Sequence, residues 1–142
     1  MGEESVFYAI KVEIADVTSK TLAFSKQKTM YGGKHIAAGD AIFLFASENQ
    51  GGQGLMAKGV VTEAKPVPRK PGLDRQTPRV SIAVRQTALA KKRLGRGELR
   101  PFDRWNDGRP ETELNFKLYR QATNKIVGIS ERAAAFLERH FG

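Results

Sequence analysis

Val6, Tyr8, Ile10, Val12 and Ile14 stand at every second position, the spacing of a strand with one face in a core. Ala41 to Ala46 is instead an unbroken apolar run, which predicts a strand covered on both sides. Leu55 to Thr62 returns to β-forming composition with Val60, Val61 and Thr62. Gly59 inside that run points to a bulge or a close backbone approach. Val80, Ile82 and Val84 alternate with Ser81, Ala83 and Arg85 and predict a further strand. Phe116, Leu118 and Arg120 alternate with Lys117 and Tyr119, and residues 125–129 are again β-like.

The intervening segments read differently. Residues 20–35 are mixed and are broken by Gly32-Gly33, which predicts a short helix or an irregular segment ending in a turn. Residues 65–78 contain Pro66, Pro68, Pro71 and Pro78, a connection and not an element. Residues 86–94 suit a short helix stopped by Gly95 and Gly97, and residues 100–110 are irregular around Trp105. The last element is a helix. Ser130 is placed as its N-cap, Ile129 and Ala134 sit as a hydrophobic staple, and Ala133, Phe136, Leu137 and Phe141 form its apolar face. The sum is an α+β domain over residues 1–142. Its five or six short strands make a small curved sheet or barrel, with flanking helices and a C-terminal helix.

Composition narrows the function classes. The 142 residues are 40% hydrophobic and 27% charged, as in ordinary globular proteins. No apolar run approaches the roughly 20 residues that span a bilayer. Met1-Gly2-Glu3-Glu4-Ser5 is acidic, unlike a secretory or transit peptide, and Val6 occupies the place where a myristoylation signal needs Ser or Thr. There is no cysteine, and His35 and His140 are the only histidines, so zinc-finger chemistry is excluded. The expected setting is the cytoplasm, with no metal and no cofactor.

Charge adds a direction. Residues 65–104 hold twelve Lys or Arg and three acids, an excess equal to the +9 of the whole chain. Such a concentration steers polyanions. It is also compatible with a solvated basic loop. A membrane surface would need a basic amphipathic helix, which Gly95, Gly97 and Pro101 interrupt. Nucleic acid therefore ranks above membrane.

Gly52-Gln53-Gly54-Leu55-Met56-Ala57 matches G-x-G-x-x-A in form. A dinucleotide fingerprint works because its glycines open a helix whose amides hold the pyrophosphate. Here a strand follows, and no G-x-x-x-x-G-K-[ST] exists in the chain. The glycines belong to a β-hairpin whose loop runs from Ser47 to Gly54. Ser47, Glu48 and Asn49 then lie where a buried strand emerges. They either satisfy turn amides or line the mouth of a pocket for a planar heterocycle.

Gly39-Asp40 followed by the apolar strand to Ser47, then glycines, then Gly54-Leu55-Met56-Ala57-Lys58-Gly59-Val60-Val61, resembles the EVE family of the PUA-like superfamily. The likeness is clearest over residues 31–64. It implies a small curved barrel with flanking helices and a pocket for a modified or flipped nucleobase, related to that of YTH domains. It places Ser47 near that pocket, with Asn49 close by. An aromatic wall is usual in the family. Here Phe24 and Tyr31 are the only aromatics between residues 15 and 35, where relatives carry tryptophan.

Trp105, the one tryptophan, either stacks on a base or plugs the core beneath its loop. Candidate base-pocket residues are thus Ser47, Asn49, Trp105, Tyr31 and Phe24. Candidate phosphate contacts are Lys34, Arg85, Lys91, Lys92, Arg93, Arg96 and Arg104. The leading expectation is a non-catalytic nucleic-acid binding domain for DNA or RNA. Two rivals stand beside it. One is an enzyme acting on a nucleotide or nucleic acid through His35 or the Asp103/Asp107 pair. The other is a protein-interaction module.

Overall fold

The computed structural model describes residues 7–14, 19–48, 53–72, 76–121 and 125–141. Six strands close into a barrel: β1 (Phe7–Val12), β2 (Thr21–Met30), β3 (Ala41–Ala46), β4 (Gly54–Pro66), β5 (Arg79–Leu89) and β6 (Lys125–Ile129). Around the ring the order is β1-β3-β4-β5-β2-β6. β1 pairs parallel with β3, and β2 parallel with β6; the remaining neighbours are antiparallel. A short ring must bend sharply, and bulges supply the bend. Register shifts fall between Phe24 and Gln27, Leu44 and Phe45, and on both sides of Val60, at Lys58/Gly59 and Val61/Glu63.

The hydrophobic side chains divide into two cores. Tyr8, Ile10, Ile42, Leu44, Val84 and Ile126 fill the barrel. Ala9, Phe43, Phe45 and Val127 point the other way, under a helical layer that contributes Leu99, Leu114, Leu118 and Leu137. That layer comprises α1 (Arg96–Leu99), α2 (Pro110–Asn115), a π-helical segment (Phe116–Gln121) and α3 (Glu131–Glu138). The apolar run at 41–46 is therefore buried on both faces, as its composition required. The Ser130 hydroxyl caps α3 by accepting from the Ala133 amide at 3.1 Å.

Four local expectations are corrected. β1 is buried on both faces, because the helical layer covers the side that alternation assigned to solvent. Residues 21–30 form a strand, and only Gly33–His35 makes a 3-10 turn. Residues 86–89 continue β5 by pairing with β4, and the helix begins at Arg96 with Gly97 inside it. Residues 116–121 are helical although their apolar positions alternate. Gly59 does mark a close approach: a Cβ there would lie 2.5 Å from the Arg85 carbonyl oxygen. Gly54 opens β4 with φ of 85° against Leu94, as a hairpin glycine and not a helix opener.

Candidate nucleic-acid interface

Lys11 and Phe45 are register partners on the parallel β1–β3 pair. Both point toward the helical layer, and Ser47 lies two residues beyond Phe45. Ser47 is tied in place by its amide, which donates to the Val12 carbonyl at 2.8 Å. Lys11 is 3% exposed and Ser47 7%. Among the described residues, neither the Lys11 ammonium nor the Ser47 hydroxyl has a hydrogen-bond partner. The ammonium instead sits over the Tyr119 ring, 4.4 Å from its centre. The Arg96 guanidinium approaches the same ring at 5.6 Å.

Glu48 completes this cluster. Its Oε1 accepts from the Arg96 amide at 2.7 Å, and Arg93 Nη2 lies 3.8 Å from its Oε2. Gly95 makes room for it, since a Cβ there would meet the carboxylate at 3.0 Å. Arg93 also pairs with Glu98 at 3.3 Å. Burial pushes the Lys11 pKa down, the nearby Arg96 charge adds to this, and Glu48 opposes it. Burial drives the Tyr119 phenol far above its ordinary value, and the Glu48 carboxylate adds to that shift. The Tyr119 hydroxyl is buried and has no hydrogen-bond partner at good geometry among the described residues. Glu48 is the carboxylate nearest to serve it, and a buried hydroxyl without a well-aligned partner costs about 1–3 kcal/mol.

An aromatic group forms the second feature. The Trp105 and Phe116 rings lie 5.3 Å apart, and Tyr31 and Phe116 6.5 Å apart. Trp105 is 39% exposed and Tyr31 38%. Arg120 covers Trp105 at 5.1 Å, and the Lys117 ammonium covers Tyr31 at 4.9 Å. A concavity of about 390 Å3 runs beside them, lined by Trp105, Arg109, Thr112, Glu113, Phe116 and Lys117 among others. Tyr31 adopts a left-handed backbone, φ 53°, ahead of Gly32 at 82°. Its carbonyl packs so closely on β6 that a Cβ at Gly128 would lie 2.3 Å from it.

The structure thus gathers Tyr31 and Trp105 onto one ring, Phe116, and gives Ser47 a different set of neighbours. Phe24 stands with neither group. It is 8% exposed and packs in the barrel core. Asn49 lies outside the described residues. The basic candidates also separate. Arg93 and Arg96 belong to the Glu48 cluster. Lys91 and Lys92 are exposed, with both amides donating to the His140 carbonyl at the end of α3. Arg104 is exposed beside Trp105, Arg85 is exposed on β5, and Lys34 is exposed in the 3-10 turn. His35 is exposed in that same turn. No group of three or more metal-ligating side chains occurs among the described residues, and no described helix is long and apolar enough to cross a membrane.

Lys11 and Tyr119 are functional candidates that the sequence alone did not single out. The alternation of β1 hid the first, since a lysine between apolar residues reads as solvent-facing. The second was hidden in a segment whose alternation mimics a strand.

Against solved structures the whole barrel finds counterparts. Human THYN1 protein, in a crystal structure with DNA containing 5-methylcytosine, superposes with a TM-score of 0.67 at 15% identity, over 96% of this chain and 98% of that one. The DUF55 domain of human thymocyte nuclear protein 1 gives 0.63 at 14% identity, over 94% and 98%. A protein from Pseudomonas syringae gives 0.59 at 14% identity, over 95% and 99%. No family model matches the chain, and no curated protein matches it in sequence. At these identities the likeness defines the fold alone: a closed six-stranded barrel with flanking helices, the architecture the sequence patterning implied.

Proposed function

We propose that this protein is a non-catalytic nucleic-acid reader that takes a modified or flipped base at the Lys11–Ser47–Glu48–Tyr119 cluster. A base edge offers both donors and acceptors, and this cluster offers an ammonium, two hydroxyls and a carboxylate to meet them. The Trp105–Phe116–Tyr31 group is the stacking surface for a neighbouring base. The exposed cations Arg104, Lys91 and Lys92 contact phosphates, which position the strand without reading it. The partner is DNA or RNA.

The observation that carries this reading is the Lys11 side chain, 3% exposed, with its ammonium over the Tyr119 ring and no hydrogen-bond partner among the described residues. Folding alone gives no return for that arrangement, whereas a polar ligand does. The fold shared with a protein solved on 5-methylcytosine DNA supports the same partner class. The test is a titration of oligonucleotides carrying one modified base, 5-methylcytosine first, against unmodified controls. Lys11→Met and Ser47→Ala should each erase the preference for the modified oligonucleotide. Equal affinity for both oligonucleotides in the unaltered protein, across a panel of modified bases, would overturn the reading.

A further inference from the structure

Across the ring of strands from β3, where β2 meets β5, the chain carries a different feature. Lys26 lies in the β2 bulge with a left-handed backbone, φ 52°. β5 clamps it from two sides. Its amide donates to Ser81 Oγ at 2.9 Å, and its carbonyl accepts from the Arg79 guanidinium at 2.9 Å. A lysine in that conformation is strained and persists where its surroundings enforce it. Beside the bulge is a concavity of about 720 Å3 lined by Lys26, Lys28 and Arg79 among others. A second concavity, of about 530 Å3, shares Lys28 and Arg79 and extends past Lys34 to Arg69 and Lys70.

Among the described residues, six cations line this pair of concavities, and Glu13 is the one acidic residue in the lining. Among the described residues, no carboxylate lies within ion-pair distance of Lys26, Lys28, Lys34 or Lys70. Like charges gathered this way repel one another and raise the local density of anions. The far wall is also held in place. Thr29 Oγ1 donates to the Pro78 carbonyl at 2.8 Å, and the Gln76 side chain bonds both the amide and the carbonyl of Lys70, at 2.9 and 2.8 Å. A wall built from Pro66, Pro68 and Pro78 loses little entropy when a ligand arrives.

The position joins this surface to the base cluster. Val12 and Glu13, which follow Lys11 directly, line the first concavity, and Ser47 is bonded to Val12. We infer that the two concavities form one track for the sugar-phosphate backbone that flanks the base held at Lys11. The inference rests on the reader function proposed above. It moves the main phosphate contacts away from Lys91 and Lys92 to Lys26, Lys28, Lys34, Arg69, Lys70 and Arg79. The length of the track, with cations spread along it, suits a polyanion better than a single small anion.

The experiment measures affinity for a short duplex oligonucleotide, with and without one 5-methylcytosine, at several salt concentrations. The triple variant Lys28→Ala, Lys34→Ala, Lys70→Ala removes exposed side chains and leaves the Lys26 clamp intact; its melting temperature checks its fold. Every phosphate that is no longer neutralised should flatten the slope of log affinity against log salt by about 0.9. The track predicts a slope flatter by about 2–3, on both oligonucleotides alike. Lys91→Ala with Lys92→Ala should flatten the slope by less than the triple variant does, since the track carries most of the phosphate contacts. An unaltered slope in the folded triple variant overturns the track while base preference, if present, keeps the reader function. A flattened slope without any base preference keeps the track and overturns the reader function. No binding of either oligonucleotide by the unaltered protein overturns both.

Discussion

The Lys11 ammonium lies 4.4 Å from the centre of the Tyr119 ring, which belongs to the helical layer that buries Lys11 and is itself half-buried. A cation over a phenol is attracted by the ring, by roughly 2 kcal/mol when desolvated. That does not offset the loss of hydration of an ammonium that finds no hydrogen-bond acceptor among the described residues. The pair is a place where the fold gives up stability.

This has a signature in pH. The folded Lys11 pKa is below its ordinary 10.5, so the unfolded chain holds the proton more tightly. The resulting penalty is full below the depressed value and is relieved as pH rises through the window up to 10.5. Tyr119 acts in the opposite sense: its folded pKa is raised, so stability falls as pH rises above the ordinary 10.0. Tyr119→Phe removes the second effect. Tyr8 and Tyr31, whose phenols burial also pushes up, act in both backgrounds, so the stability of Tyr119→Phe relative to the same variant carrying Lys11→Met should rise as pH approaches 10.5 from below in denaturant titrations.

Glu113 ties the aromatic group to the C-terminal helix. Its Oε2 accepts from the Ser130 amide at 2.7 Å and from the Lys117 ammonium at 3.0 Å, and the same ammonium donates to the Gly128 carbonyl at 2.8 Å. Burial pushes the carboxyl up, but the Ser130 hydroxyl and amide and Lys117 outweigh it, leaving the pKa below 4.5. The stabilisation is therefore present above pH 4.5 and is lost as pH falls through the folded value. Glu113→Ala should cost about 2–3 kcal/mol in urea unfolding at neutral pH, and the difference from the unaltered protein should shrink in acid.

Gly59 tests the curvature of the barrel. A methyl group there meets the Arg85 carbonyl and the Val84 side chain, at 2.5 and 2.7 Å. Backbone on the neighbouring strand cannot swing away. Gly59→Ala should lower stability by about 1–3 kcal/mol in thermal or urea unfolding. Gly97→Ala, which meets nothing within 4 Å, should not destabilise.

Trp105 reports on the stacking surface. It is the only tryptophan, it is half exposed, and Arg120 lies over it. Oligonucleotide binding should quench its fluorescence. Trp105→Ala should weaken binding by about 1–3 kcal/mol for one stacked base, with little effect on the melting temperature. Retained affinity in that variant would remove the stacking role.

Much of the fold was legible because it rests on local rules. The apolar run at 41–46 has no polar position to expose, so it had to lie between two cores. Ser130 had a free hydroxyl ahead of an amphipathic run, so it had to cap. What escaped depends on distant partners. β2 has few apolar residues and is a strand because β5 and β6 complete its hydrogen bonds. Residues 86–89 extend β5 because β4 is long enough to pair with them. The candidate site divides in the same way. Ser47 and Trp105 stood out through neighbouring turns and aromatic scarcity. Lys11 is covered by Tyr119, about 108 residues further along the chain. Phe24 sits between the two roles, packed in the barrel core and lining the concavity beside the β2 bulge.

The most direct measurement is the ratio of affinities for a 5-methylcytosine oligonucleotide and its unmodified twin, taken on the unaltered protein and on Lys11→Met. The reader function predicts a preference for the modified strand in the unaltered protein. One charge-assisted hydrogen bond is worth about 1.5–3 kcal/mol, so Lys11→Met should lose roughly 10- to 100-fold in affinity for it. The two strands should then bind alike. A preference that persists undiminished in folded Lys11→Met would contradict the central claim that this buried ammonium reads the base.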